Sequence, residues 1–81
     1  MKGGENLRSW LVNARTNKGL TQAQIAEKIG ITESYYCMIE NGDRQKKMDI
    51  TLAVKLSSIL EIPIAEIVEI EKGETNATDT I

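Results

Sequence analysis

Eighty-one residues with 12 acidic and 10 basic side chains carry a net charge of −2 and have room for one small domain, near the size at which a single core is marginal without a partner copy. One cysteine, Cys37, and no histidine exclude an intrachain disulfide, a histidine-containing zinc site and a histidine-based catalytic dyad, so no metal, no cofactor and no enzymatic activity are expected. The opening MKGGENLRSW has no apolar signal core and no apolar run approaches the roughly 18 residues of a membrane span, so a cytoplasmic protein without membrane association is expected.

The segment ENLRSWLVNARTNKG sets Leu7, Trp10, Leu11 and Ala14 at the spacing of one apolar helical stripe, and Lys18-Gly19 supplies a helix end. Thr21 with Gln24 three residues later forms the T-x-x-Q capping pattern, so a helix starts at Gln22 with Ile25, Ala26 and Ile29 turned inward. Gly30 closes it, because glycine enters the left-handed conformation without the steric cost of a Cβ.

Thr32 caps the next helix almost at once. That helix is expected from about Glu33 to Asn41, with Tyr36 and Ile39 facing the core, and Asn41-Gly42 ends it by the same left-handed logic. After the polar, basic loop DRQKKM, Asp49 caps a fourth helix with Leu52, Ala53, Leu56, Ile59 and Leu60 on its apolar face. Pro63 opens a short fifth helix carrying Ile64, Ile67 and Val68. The remainder lacks apolar periodicity and reads as a mobile acidic tail over 71–81. The expectation is an all-α fold of five short helices around one core, with one domain over 5–70.

The acidity is local to the end of the chain. Residues 1–60 hold nine basic against six acidic side chains, a net of +3, and residues 61–81 hold one lysine against six acids, a net of −5. The first three quarters are therefore free to face phosphates.

From Arg15 to Val68 the chain resembles the phage repressor and Cro family of helix-turn-helix DNA-binding domains, also called the Xre family, whose fold is lambda-repressor-like. The resemblance is carried by Gly19-Leu20-Thr21-Gln22, Ile25-Ala26-Glu27-Lys28-Ile29-Gly30, Tyr35-Tyr36 and Ile39-Glu40-Asn41-Gly42. The helix from Asp49 to Leu60 and the run Ile62-Pro63-Ile64-Ala65-Glu66-Ile67 extend it. It implies a helix-turn-helix over 21–41 whose second helix, 33–41, enters the major groove of DNA while the first crosses the backbone.

The same resemblance implies the roles of individual residues. Thr32, Glu33, Ser34 and Met38 fall where the family meets base edges: Ser34 as donor or acceptor, Glu33 as acceptor from a cytosine amino group, Met38 by apolar contact with a thymine methyl. Structural readings compete with these, since Glu33 and Ser34 also favour a helix N-terminus and Met38 can pack on the body. Gln22, Tyr35, Asn41, Arg44, Lys46 and Lys47 are phosphate candidates, the last three from the densest basic cluster in the chain. Many relatives carry a proline in this loop; Lys47 stands near its place. Arg15 and Glu40 fall at the positions of a partly buried structural ion pair. Cys37 reads as a small, largely buried side chain.

The function expected is a transcriptional regulator, a repressor or autoregulator, that binds a double-stranded operator as a homodimer on an inverted repeat. Its short length points to a stand-alone regulator with no sensor domain and no small-molecule effector. Ile64, Ile67, Val68 and Ile70 are the expected dimer surface, since a short helix hides only part of such a set. Prophage repressor, restriction-modification controller and antitoxin-like autorepressor remain open. The competing function is a protein-interaction module on the same fold, an antitoxin-like or adaptor protein, for which Glu33 and the negative total speak.

Overall fold

A computed structural model of the chain describes residues 7–75, with side chains to 73. It holds five helices: α1 (Ser9–Asn17), α2 (Gln22–Ile29), α3 (Glu33–Glu40), α4 (Ile50–Leu60) and α5 (Ile64–Thr75). Among the described residues there is no strand, and no helix is long and apolar enough to cross a membrane.

Chain packing divides at the Lys46–Lys47 bond into two compact units. The first contains α1 to α3. Its buried apolar side chains are Leu11, Ile25, Ala26, Ile29, Tyr36 and Ile39. The second contains α4 and α5, with Leu52, Ala53, Leu56, Leu60 and Ile67 buried.

Local chemistry places the joints of the first unit. Lys18 ends α1 and Gly19 turns to φ +71°, so that the Leu20 N–H reaches the Arg15 carbonyl at 3.2 Å. The Thr21 hydroxyl accepts the Gln24 N–H at 3.1 Å while the Gln24 side chain accepts the Thr21 N–H at 2.8 Å, a complete capping box. Gly30 takes φ +92°, and its N–H and that of Ile31 both close on the Ala26 carbonyl, at 2.9 and 3.0 Å. Thr32 caps α3 by accepting the Tyr35 N–H at 3.1 Å. Gly30, Ile31 and Thr32 are thus the whole connection between α2 and α3.

Differences from expectation lie at the ends. Leu7, assigned to the apolar stripe, is 39% exposed, and its neighbour Arg8 is buried instead. Helix α3 stops at Glu40, with Asn41 right-handed and Gly42 supplying the left-handed turn at φ +80°.

In the second unit Asp49 caps α4 through the Thr51 N–H at 3.2 Å, and the Pro63 carbonyl accepts the N–H groups of Glu66 and Ile67 in the first turn of α5. Helix α5 continues to Thr75, five residues beyond Ile70, so 71–75 belong to a helix rather than to a tail. The run IAEIVEIEK is made largely of good helix formers, and Gly73 costs a helix only about 1 kcal/mol, too little to stop it. Residues 5 and 6 of the expected domain and 76–81 of the expected tail lie outside the described residues.

Candidate nucleic-acid interface

The centre of the first unit is a carboxylate. Glu40, in the last turn of α3, is 3% exposed, and side chains from all three helices converge on it. Arg15 of α1 brings Nε to 2.6 Å from Oε2 and Nη2 to 3.4 Å from Oε1. Gln22 of α2 donates from Nε2 to Oε1 at 2.9 Å, and the Tyr36 hydroxyl, one turn back in α3, donates to Oε2 at 2.7 Å. Arg15 Nη1 also holds the Leu20 carbonyl at 2.9 Å, fixing the α1–α2 turn.

These bonds decide protonation. Burial pushes the Glu40 carboxyl upward, but the hydrogen bonds from Arg15, Tyr36 and Gln22 outweigh it and hold the group below the ordinary carboxylate value. Tyr36 is driven the other way, chiefly by burial and then by its bond to Glu40, so it stays a neutral donor. The hydrogen bond to Glu40 raises the Arg15 value further.

The first turn of α3 is exposed. Thr32, Glu33 and Ser34 present their side chains to solvent, while Tyr35 and Met38 are half-buried. The Thr32 hydroxyl is engaged as the cap, which leaves its own proton available to a partner. Met38 has a backbone task, since its carbonyl receives the N–H groups of Asp43 at 2.9 Å and Arg44 at 3.2 Å, folding the following loop onto the helix.

That loop is organised by contacts the sequence pattern does not show. Gln45 stands at φ +58° and donates from Nε2 to the Tyr35 hydroxyl at 3.0 Å, so Tyr35 is tied to the loop rather than extended alone. Arg44 and Lys46 are exposed in the same unit, and Lys47, also exposed, begins the next. Asn41 is half-buried, its amide 4.0 Å from the sulfur of Cys37; that thiol is half-buried rather than largely buried.

The structure therefore brings Tyr35, Gln45 and the Arg44 backbone together at α3 and turns the Gln22 amide inward to Glu40. Gln22 is first of all a strut between α2 and α3, with one amide hydrogen committed to the carboxylate. Of the expected dimer surface, Ile67 must be removed, because it is fully buried. Val68 is 42% exposed and Ile64 and Ile70 are half-buried, whereas Ile50 at 64% and Val54 at 51% are, among the described residues, the most exposed large apolar side chains of the second unit.

The residue missed altogether is Arg8. It is 4% exposed, its N–H donates to the Glu40 carbonyl at 2.8 Å, and its guanidinium reaches the Ile39 carbonyl at 2.7 Å. A charged side chain in an amphipathic segment reads as solvated.

No cluster among the described residues is arranged to hold a metal ion. A family model described as helix-turn-helix matches residues 11–67. The chain is 40% identical over 45 residues to the "Uncharacterized HTH-type transcriptional regulator YqaF" of Bacillus subtilis (strain 168), a match covering 56% of this chain and 59% of that protein. It is 35% identical over 66 residues to "Uncharacterized HTH-type transcriptional regulator YqaE" of the same organism, covering 82% of this chain and 53% of that protein. The chain thus spans little more than half the length of these two relatives. No solved structure matches it significantly. The family match runs through the capped α2, the Gly30 turn and the half-exposed α3, and the chain belongs to the helix-turn-helix family of the Xre and Cro type.

Proposed function

We propose that the chain is a sequence-specific DNA-binding transcriptional regulator of the repressor or autoregulator kind. The observation that carries this reading is the asymmetry of α3: its far end is locked by Glu40, while Thr32, Glu33 and Ser34 stand exposed beside a three-residue turn. A helix so held can enter a major groove without reorganising. Ser34 and the Thr32 proton meet base edges, and Glu33 accepts from a cytosine amino group, the one partner that offsets its repulsion from phosphate. Tyr35, Asn41, Arg44, Lys46 and Lys47 contact the backbone, with the second amide hydrogen of Gln22.

The regulator acts as a homodimer on an inverted repeat with half-sites about one helical turn apart. Exposed apolar side chains on α4 and α5, Ile50, Val54 and Val68, support a second copy docking on the second unit. Duplexes selected from a random pool by the chain, followed by a salt titration on the winner, test the reading. The expected result is a steep linear fall of log affinity with log salt, and a dimer by light scattering at micromolar concentration. Absence of any duplex affinity at low salt refutes it and leaves the protein-interaction module as the better description.

A further inference from the structure

Helix α3 ends badly by its own sequence. Its last turn holds the acid Glu40 and no basic residue, although the partial negative charge at a helix C-terminus favours cations there. The missing charge comes from the opposite end of the unit. Arg8, the residue before α1, lays its guanidinium over the end of α3, with Nη1 2.7 Å from the Ile39 carbonyl. From there it reaches onward into the basic loop: Nη1 lies 3.4 Å from the Arg44 carbonyl, and Nη2 donates to the Gln45 carbonyl. Three carbonyls, one in the last turn of α3 and two in the loop after it, are thus drawn to one buried cation, while its own backbone is anchored by the bond from its N–H to the Glu40 carbonyl.

The loop needs such a hold. Gln45 sits at φ +58°, a conformation costly for a residue with a side chain unless its surroundings enforce it. With the Arg44 and Gln45 carbonyls turned in to the guanidinium, the trans peptide geometry turns the Lys46 N–H to the opposite side. The Gln45 side chain then lies against the Tyr35 hydroxyl at 3.0 Å, while the Arg44 and Lys46 side chains are exposed. A flat, five-donor guanidinium suits this task, because a single ammonium cannot address separated carbonyls in fixed directions.

We propose that Arg8 is a positioning residue for nucleic-acid binding: it touches no DNA, and holds the loop after α3 in the one shape that brings Arg44, Lys46 and Tyr35 to the phosphate backbone together. This rests on the DNA-binding reading above. The two are separated by measuring the wild-type chain first. If it binds no duplex with a salt-dependent affinity, the reading itself fails.

With a bound duplex in hand, Arg8→Met and Arg8→Lys are compared with the wild type across a salt series. Both variants are expected to keep helical content, to bind about tenfold or more weakly at fixed salt, and to show a salt slope shallower by about 1 to 2, the share of phosphates the loop contacts. Removing Arg44 and Lys46 together by alanine weakens the wild type and has little further effect on Arg8→Met, a coupling that a general loss of stability would not produce. An unchanged slope, full additivity with the loop alanines, or loss of the whole fold in both variants overturns the proposal.

Discussion

At its first turn α3 is capped from within, by a threonine hydroxyl on the Tyr35 N–H, and Thr32, Glu33 and Ser34 stand in solvent. At its last turn, two helical turns away, a carboxylate 3% exposed takes bonds from α1, α2 and α3, and the backbone beyond it lies under a buried guanidinium. Eight residues therefore contain both a carboxylate held by side chains of three helices and, at Glu33 and Ser34, side chains open to solvent. Rigidity sits at one end and the proposed readout at the other, so a substitution at one end should alter whether the helix is held, and at the other what it recognises.

The largest break in that contrast is expected from Glu40→Ala. It leaves Arg15, whose side chain is 13% exposed, without its carboxylate and strands the Tyr36 and Gln22 donors. Removing one partner of a buried pair costs about 3 to 5 kcal/mol, a large share of the stability of so small a unit, and denaturant unfolding should show most of it lost.

The pH dependence sharpens the same point. Because Glu40 is held below the ordinary carboxylate value, the unfolded chain binds its proton first as pH falls. The stabilisation is complete above about pH 4.3, the unfolded value, and is lost as pH falls through the lower folded value. The gap in thermal midpoint between wild type and Glu40→Gln should be open near neutrality and close in that acid window. A gap that stays constant to pH 2.5 would mean that the carboxylate charge is not what matters.

A middle-sized effect belongs to the joint that aims the helix. An added Cβ at Gly30 would meet nothing within 4 Å, so Gly30→Ala is penalised only through φ +92°, by about 1 kcal/mol. Gly30→Asn should cost less, since asparagine enters the left-handed region more readily. Equal costs in thermal unfolding would show that the turn is held by something other than backbone conformation.

What the sequence made legible follows the range of the interactions. The Thr21–Gln24 box, the left-handed Gly30, the Thr32 cap and the inward Tyr36 all depend on partners within about four residues, and each stands where pattern put it. The contacts of Arg8 with Ile39, Arg44 and Gln45 span 31 to 37 residues, and that of Gln22 with Glu40 spans 18. No local period encodes them, so Arg8 reads as a surface charge and Gln22 as an outward one. The burial of Ile67 was lost for a related reason: in Ile64, Ile67, Val68 and Ile70 every side chain is apolar, and composition alone does not say which one the fold hides.

The smallest effect on stability should carry the most information about function. Ser34 is exposed in the first turn of α3, so Ser34→Ala is expected to change unfolding free energy by no more than about 0.5 kcal/mol. On the proposed reading the same change removes one hydrogen-bonding group from a base edge on DNA, worth about 1 to 3 kcal/mol of discrimination at one base pair and little at others. Selections with wild type and variant, sequenced side by side, should differ at one position in each half-site while their salt slopes agree, because no phosphate contact has been lost. Had the slope changed and the preference not, Ser34 would belong with the backbone contacts. Had stability fallen, the first turn of α3 would be part of the locked end, and the division of labour within the helix would not exist.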